Sequence, residues 1–231
     1  MRLPLLIVFL VLILDQTLKI WVKTNMYIGE EFSVLGDWFI IHFVENPGMA
    51  FGLELGGSYG KIALSLFRVF AVIGLGYYMW SLVKEKAPKG VIISFALITA
   101  GALGNIIDSA FYGILFNKGT IYSNEIGDWM RYHGIAEMNM DGYANPFWGC
   151  VVDMLYFPLI EGYFPDWLPV LGGDYFLFFR PVFNIADAAI SIGVGVLILF
   201  YRNFYIEEKK KEKEISEDQS AVIQETTAVS E

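Results

Sequence analysis

Four apolar runs, at about 4–23, 61–83, 90–111 and 183–204, constrain this chain more than any other feature. Each is close to the ~20 residues that a helix needs to cross the hydrocarbon core of a bilayer. The orientation follows from the basic residues. Arg2 precedes the first run, Lys84, Lys86 and Lys89 fill the turn between the second and third, and Arg202, Lys209, Lys210, Lys211 and Lys213 follow the fourth. All fall on one side, which predicts cytoplasmic termini and two outward-facing segments, 25–60 and 112–180. The expected fold class is an all-α membrane protein: four transmembrane helices with a small extracytoplasmic β-rich segment and a long outer loop. A content of 55% hydrophobic and only 18% charged residues agrees with that setting.

The first run resembles a signal peptide in having Arg2 ahead of apolar sequence. Asp15 and Lys19 interrupt it, however, and no A-x-A-like site follows, so it is read as a retained helix. Residues 1–206 form one membrane domain. Residues 207–231 begin with a mixed Glu/Lys run and carry too few apolar residues to fold alone, so a disordered cytoplasmic tail is expected there. Within 25–60, the β-branched and aromatic stretch 38–44 predicts a strand, and Asn46-Pro47-Gly48 predicts a turn after it. Trp129, Tyr143, Trp148, Tyr163 and Trp167 in the second outer segment suit an interfacial aromatic belt.

Several chemistries are disfavoured. The single cysteine, Cys150, allows no internal disulfide and no cysteine-zinc cluster. His42 and His133 lack the spacing of a zinc protease, so neither metal nor cofactor is expected. The net charge of -9, with acids and bases segregated along the chain, is no nucleic-acid signature.

The ionisable residues in apolar surroundings carry the functional signal, since such groups are costly next to lipid and tend to mark function. Asp153 lies in Val151-Val152-Asp153-Met154-Leu155, and Asp187 sits at the outer mouth of the fourth run. Two carboxylates meeting at a membrane boundary suggest acid–base chemistry on a substrate that lives in the membrane. Asp15 and Lys19 are four apart and share a helix face, as a neutralising pair or as support for a polar site further out. Asn105 and Asp108 share a face near the outer end of the third run. Arg68, in the second, needs a partner, for which Asp108 and Asp15 are the candidates. Two rival readings stay open on these residues alone: an ion path through Asp15, Lys19, Arg68 and Asp108, or a non-catalytic assembly factor using its outer loop.

Five motifs occur in order: Asp15-x-x-x-Lys19, Asn46-Pro47-Gly48-Met49-Ala50-Phe51-Gly52, Gly104-Asn105-Ile106-Ile107-Asp108, Val151-Val152-Asp153 and Phe183-Asn184-Ile185-Ala186-Asp187. Together, over roughly residues 1–204, they resemble the lipoprotein signal peptidase (signal peptidase II) family. The resemblance implies an aspartic endopeptidase of the bacterial inner membrane that removes signal peptides from diacylglyceryl-modified prolipoproteins, cleaving before the lipidated cysteine. It implies Asp153 and Asp187 as the catalytic dyad. Asp15, Lys19, Asn46, Gly48, Asn105, Asp108 and Asn184 become supporting or substrate-binding positions. Membrane lipids and globomycin-type inhibitors become the further partners.

The chain departs from that pattern in two ways. Ser109 stands where family members usually carry Arg, leaving Arg68 or Arg180 to balance the local charge. The stretches 109–150 and 154–180 are longer than usual and read as outer-loop insertions.

Overall fold

A computed structural model describes residues 1–48, 57–158, 160–163, 165, 167, 169, 173–178 and 181–199. The tail 207–231 and Arg180 lie outside the described residues. Among the described residues, three helices have the length and apolarity to cross a membrane: α1 (Arg2–Asn25), α2 (Gly57–Lys84) and α3 (Lys89–Ile107), the last extended to Leu115 by a π-helical turn, Asp108–Tyr112, and one more helical turn. The described part of the fourth run, α4 (Ile185–Leu199), is a shorter apolar helix. Large apolar side chains such as Phe9, Leu14, Phe67, Phe70 and Leu199 point outward, as expected of surfaces that face lipid.

Strands come from both outer segments, so the fold is wider than an all-α description. β1 (Glu31–Leu35), β2 (Phe39–Asn46) and β5 (Val151–Tyr156) form a three-stranded antiparallel sheet with β2 in the centre. Two small hairpins, β3 (Ile121–Ser123) with β4 (Asp128–Met130) and β6 (Ile160–Tyr163) with β7 (Tyr175–Phe178), complete the outer part. The strand expected at 38–44 is β2, and the expected turn follows it. Gly48 has φ +110°, which favours glycine, and its N–H donates to Asn46 Oδ1 at 2.9 Å.

Alternation along the central sheet separates a core face from the face that carries Asp153 and Asn46. Phe43, Val152 and Met154 pack with Val22, Met26, Tyr112 and Phe116 into a buried apolar cluster. Val44 pairs with Asp153, and Asn46 pairs with Val151, so these four residues share the opposite face. A register shift between Ile41 and Val44 marks a bulge beside Asp153, the kind of irregularity that re-aims side chains near sites.

Asp153, expected in the long outer loop, therefore lies on β5, an edge strand of this sheet. Two anchors hold that strand. The π-helical turn receives the chain just before it, where the Gly149 N–H donates to Ser109 O at 3.0 Å and the Val152 N–H to Asp108 Oδ2 at 3.2 Å. After Asp153, Leu155 and Phe183 exchange backbone hydrogen bonds of 2.7 and 3.0 Å, which fixes the strand to the residue preceding the α4 cap.

The helices approach closely where side chains are small. A Cβ on Gly101 would overlap the Ala186 carbonyl oxygen and lie 2.7 Å from Ile190 Cγ1, whereas one on Gly74 would meet nothing within 4 Å. Gly101→Ala is expected to destabilise the protein by about 1–3 kcal/mol, because backbone rather than a flexible side chain must move. Gly74→Ala should be close to neutral. Thermal unfolding of both variants in detergent checks the contrast.

The outer aromatics are only partly a belt. Trp167 is exposed. Tyr143 instead packs inward: its ring lies 5.2 Å from the ammonium of buried Lys23, and its hydroxyl accepts the Cys150 N–H at 2.8 Å. Trp129 lies over the Lys61 ammonium at 4.7 Å. Lys23, ion-paired with Glu45, also faces Phe116 and Tyr132 at 5.1 Å each. These cations leave water, and ring faces help replace their hydration.

Candidate active site

The fourth run opens with an asparagine cap rather than with Phe183. The Asp187 N–H donates to Asn184 Oδ1 at 2.9 Å, and Asp187 Oδ2 reaches back to the Asn184 N–H at 3.4 Å. This is a capping box built from Asn and Asp. Asn184 thus caps the helix in whose first turn Asp187 stands. The reciprocal bonds fix the Asp187 carboxylate at the helix mouth, where the dipole favours negative charge.

Asparagines link the two carboxylates. Asn184 Nδ2 donates to Asp153 Oδ1 at 2.7 Å and to Asn105 Oδ1 at 3.1 Å. Asn105 Nδ2 donates to Asp187 Oδ1 at 2.8 Å. Asn46, on the same sheet face as Asp153, also hydrogen-bonds it. Asp153 is buried, whereas Asp187 is half-buried. Burial pushes the Asp153 carboxyl up to about 8, and the neighbouring Asp187 carboxylate adds to the rise, against Lys19 and the two asparagines, which lower it. The residues 34 positions apart in sequence (187 − 153) therefore meet in one electrostatic unit.

Behind the asparagines sits a buried ion cluster. Lys19 Nζ lies 2.9 Å from Asp15 Oδ2, 2.8 Å from Asp108 Oδ2 and 3.0 Å from Asn105 Oδ1. Lysine only donates, so Asn105 must turn its oxygen to Lys19 and its amide nitrogen to Asp187. Asp15 accepts the Ala186 N–H at 2.9 Å, satisfying one of the orphan donors in the first turn of α4. Gly104 leaves the room for this, since a Cβ there would stand 2.8 Å from Asp15 Oδ2. Asp15 and Lys19 thus pair, as their spacing predicts, and each also contacts a group further out, Asp15 the Ala186 N–H and Lys19 the Asn105 oxygen.

Every site position expected from the sequence falls in or beside this network. Gly48 is the most peripheral; a Cβ there would lie 3.2 Å from Leu64 Cδ2 of α2. Gln16 is not among the expected positions. Its Nε2 donates to Asp108 Oδ1 at 2.8 Å and to Asp15 Oδ2 at 3.1 Å, and its Oε1 accepts the Tyr112 hydroxyl at 3.2 Å. Its place beside Asp15 in an apolar run is the available signal. Arg68 takes neither expected partner as an ion pair within 4.0 Å among the described residues; Asp187, Asp153 and Asp108 are the acids within its electrostatic reach. Ser109 is buried, and its hydroxyl donates to the Asn105 carbonyl one turn back at 3.0 Å.

Cys150 offers no rival nucleophile. It is buried, and burial pushes its thiol up to about 11, although Lys61 Nζ lies 3.3 Å away and opposes the shift. Among the described residues no cluster of His, Cys, Asp or Glu could hold a metal ion. The arrangement suits a pair of carboxyl groups sharing a proton.

Residues 7–202 match a family model described as signal peptidase (SPase) II. A lipoprotein signal peptidase of Porphyromonas gingivalis is 48% identical over 199 residues, covering 84% of this chain and 80% of that protein. One of Amoebophilus asiaticus is 37% identical over 199 residues, covering 84% and 75%. A bacterial membrane enzyme solved in meso at 2.3 Å superposes with a TM-score of 0.55 at 24% identity, over 88% of this chain and 89% of that one, a likeness of fold.

Proposed function

The chain belongs to the signal peptidase II family, and from that premise we propose that it is an aspartic endopeptidase that removes the signal peptide from diacylglyceryl-modified prolipoproteins. The observation that carries the aspartic reading is the bridging of Asp153 and Asp187 by Asn184 and Asn105, with the Asp153 carboxyl raised to about 8. Two nearby carboxyl groups resist ionising together, so the pair holds one proton at neutral pH. The ionised member takes a proton from water as it attacks the scissile carbonyl. The protonated member donates to the carbonyl oxygen. The tetrahedral intermediate collapses when the amine of the lipidated cysteine is protonated and leaves. The pair titrates as one unit, so neither residue is given a fixed role.

Asn46 and Asn184 hold the Asp153 carboxyl, and Asn105 holds Asp187, so the reacting groups need little reorganisation. The sheet face that carries Asp153 and Asn46 cradles the extended peptide, while the acyl chains stay among the helices. The working orientation has both termini cytoplasmic and the dyad near the outer face of the inner membrane. Residues 1–206 are the catalytic domain and 207–231 an appended tail.

The test is cleavage of a diacylated prolipoprotein peptide by purified protein, with mass spectrometry of the product. The expected product begins at the lipidated cysteine, and globomycin blocks its release. Release at any other bond would sink the assignment. A second expectation concerns pH. Because the pair, with its Asp153 carboxyl raised to about 8, holds one proton up to that region, kcat/KM should fall about tenfold per pH unit above it. A profile still rising at pH 10 would exclude the protonated carboxyl as the acid.

A further inference from the structure

One face of α2 is turned toward the site over two helical turns. Lys61 Nζ contacts Cys150 Sγ at 3.3 Å, Leu64 Cδ2 would stand 3.2 Å from a Cβ on Gly48, and Ser65 Oγ donates to Phe147 O at 3.3 Å. Arg68 is the next member of this i, i+3, i+4, i+7 series. It lies about 10 Å along the helix from Lys61, at 1.5 Å per residue, on the side away from the outer sheet. Phe67 and Phe70 beside it are exposed, whereas Arg68 is half-buried. It feels Asp187 most strongly, then Asp153 and Asp108. Among the described residues, nevertheless, its guanidinium makes no hydrogen bond and no ion pair within 4.0 Å.

A guanidinium has five N–H donors and is costly to leave unsatisfied in an apolar span. Three buried cations nearby are engaged: Lys19 by three acceptors, Lys23 by Glu45, and Lys61, on α2 itself, by Cys150. Among the described residues, Arg68 alone of this set lies within electrostatic reach of the dyad without a hydrogen-bonded or ion-paired partner. Resting on the peptidase reading above, we infer that Arg68 binds the ester carbonyl oxygens of the substrate's diacylglyceryl group, and so reads the lipid that marks the cleavage site.

The chemistry fits the position. The first ester oxygen is only a few bonds from the scissile nitrogen, through the cysteine side chain and the glyceryl carbons. A group held by Arg68 within reach of Asp187 and Asp153 therefore sets that nitrogen at the dyad. The peptide backbone has the Asp153 face of the sheet to bond with, whereas the ester carbonyls enter an apolar zone where Arg68 is the donor at hand. A planar fork also suits two carbonyl oxygens better than a point charge does.

The experiment compares two substrates of one peptide sequence, one with ester-linked and one with ether-linked chains on the glyceryl group. The ether analogue keeps the chain length and loses the carbonyl oxygens. The parent protein is expected to cleave the diester with a kcat/KM about 10- to 100-fold higher. Arg68→Gln should lower diester cleavage by a similar factor, leave diether cleavage within about threefold, and so erase the discrimination. Arg68→Lys should restore part of it. Diether cleavage doubles as the folding control. Equal losses on both substrates in Arg68→Gln, or equal cleavage of both by the parent protein, would overturn the inference while the peptidase reading stands. If the parent protein cleaves neither substrate, that reading fails and takes the inference with it.

Discussion

Asp153→Asn and Asp187→Asn should each lower kcat/KM by about 10³-fold or more while leaving the protein folded. Asparagine keeps the shape of the carboxylate and loses the proton chemistry. At position 153 the new amide oxygen can still accept from Asn184 Nδ2, which donates to Asp153 at 2.7 Å in the parent protein. At 187 it can still accept from Asn105 Nδ2, so the first turn of α4 keeps its anchor. A third variant, Asp141→Asn, changes an exposed carboxylate that, among the described residues, accepts a local hydrogen bond from Asn139, and should leave turnover unchanged. Full turnover by either dyad variant would end the aspartic assignment.

Stability separates chemistry from folding in the same variants. The Asp153 carboxyl, ordinarily near 3.8, is raised to about 8 in the folded protein by burial and by Asp187. Between those values the folded state binds the proton more tightly than the unfolded chain does. Stability therefore falls as pH rises from about 4 to about 8 and levels off above. Asp153→Asn removes this titration, so its unfolding temperature should drop less over that window than the parent's. A variant that loses activity yet gains relative stability at pH 8 is what a functional carboxylate in a costly position predicts.

The sequence shows the site residues better than it shows how they meet. Spans are legible because bilayer thickness sets a length and lipid sets a composition. The spacing of Asp15 and Lys19 suffices to predict their pairing, because i and i+4 always share a helix face. Asn184-x-x-Asp187 also matches a local pattern, but the same spacing suits a helix face and a capping box, and only the chain direction before Ile185 decides between them. Asp153 reads as a loop residue because its strand is short and its partner, β2, lies more than a hundred residues earlier. The hydrogen bonds joining Asn105 to both Lys19 and Asp187 depend on three elements packing together, which no local pattern encodes. Gln16 is hard to single out for a similar reason. A neutral polar residue in a span has many uses, and its role emerges only once Asp108 and Tyr112 are beside it.

Lys19→Met should be the most destabilising single change in the site, by about 3–5 kcal/mol, because it removes one partner of a buried ion cluster and strands the others. Lys19, Asp15 and Asp108 are all fully buried. Methionine fills much the same volume but donates nothing. Asp15 would keep the Ala186 N–H and Asp108 would keep Gln16 and the Val152 N–H, yet both would lose their cation. Asn105 would lose one of the two donors to its amide oxygen and keep only Asn184 Nδ2, so the hold that turns its nitrogen to Asp187 would weaken. The double variant Lys19→Met/Asp108→Asn tests the two consequences separately. Removing one stranded charge should recover part of the lost unfolding temperature. It should not recover turnover, because the Asn105 amide still lacks the Lys19 donor. Thermal unfolding in detergent and cleavage of the diacylated peptide, measured on the same preparations, give both readings. A Lys19→Met protein as stable as its parent would mean that the cluster is not held by its charge, and a double variant with full activity would mean that Lys19 does not act through Asn105.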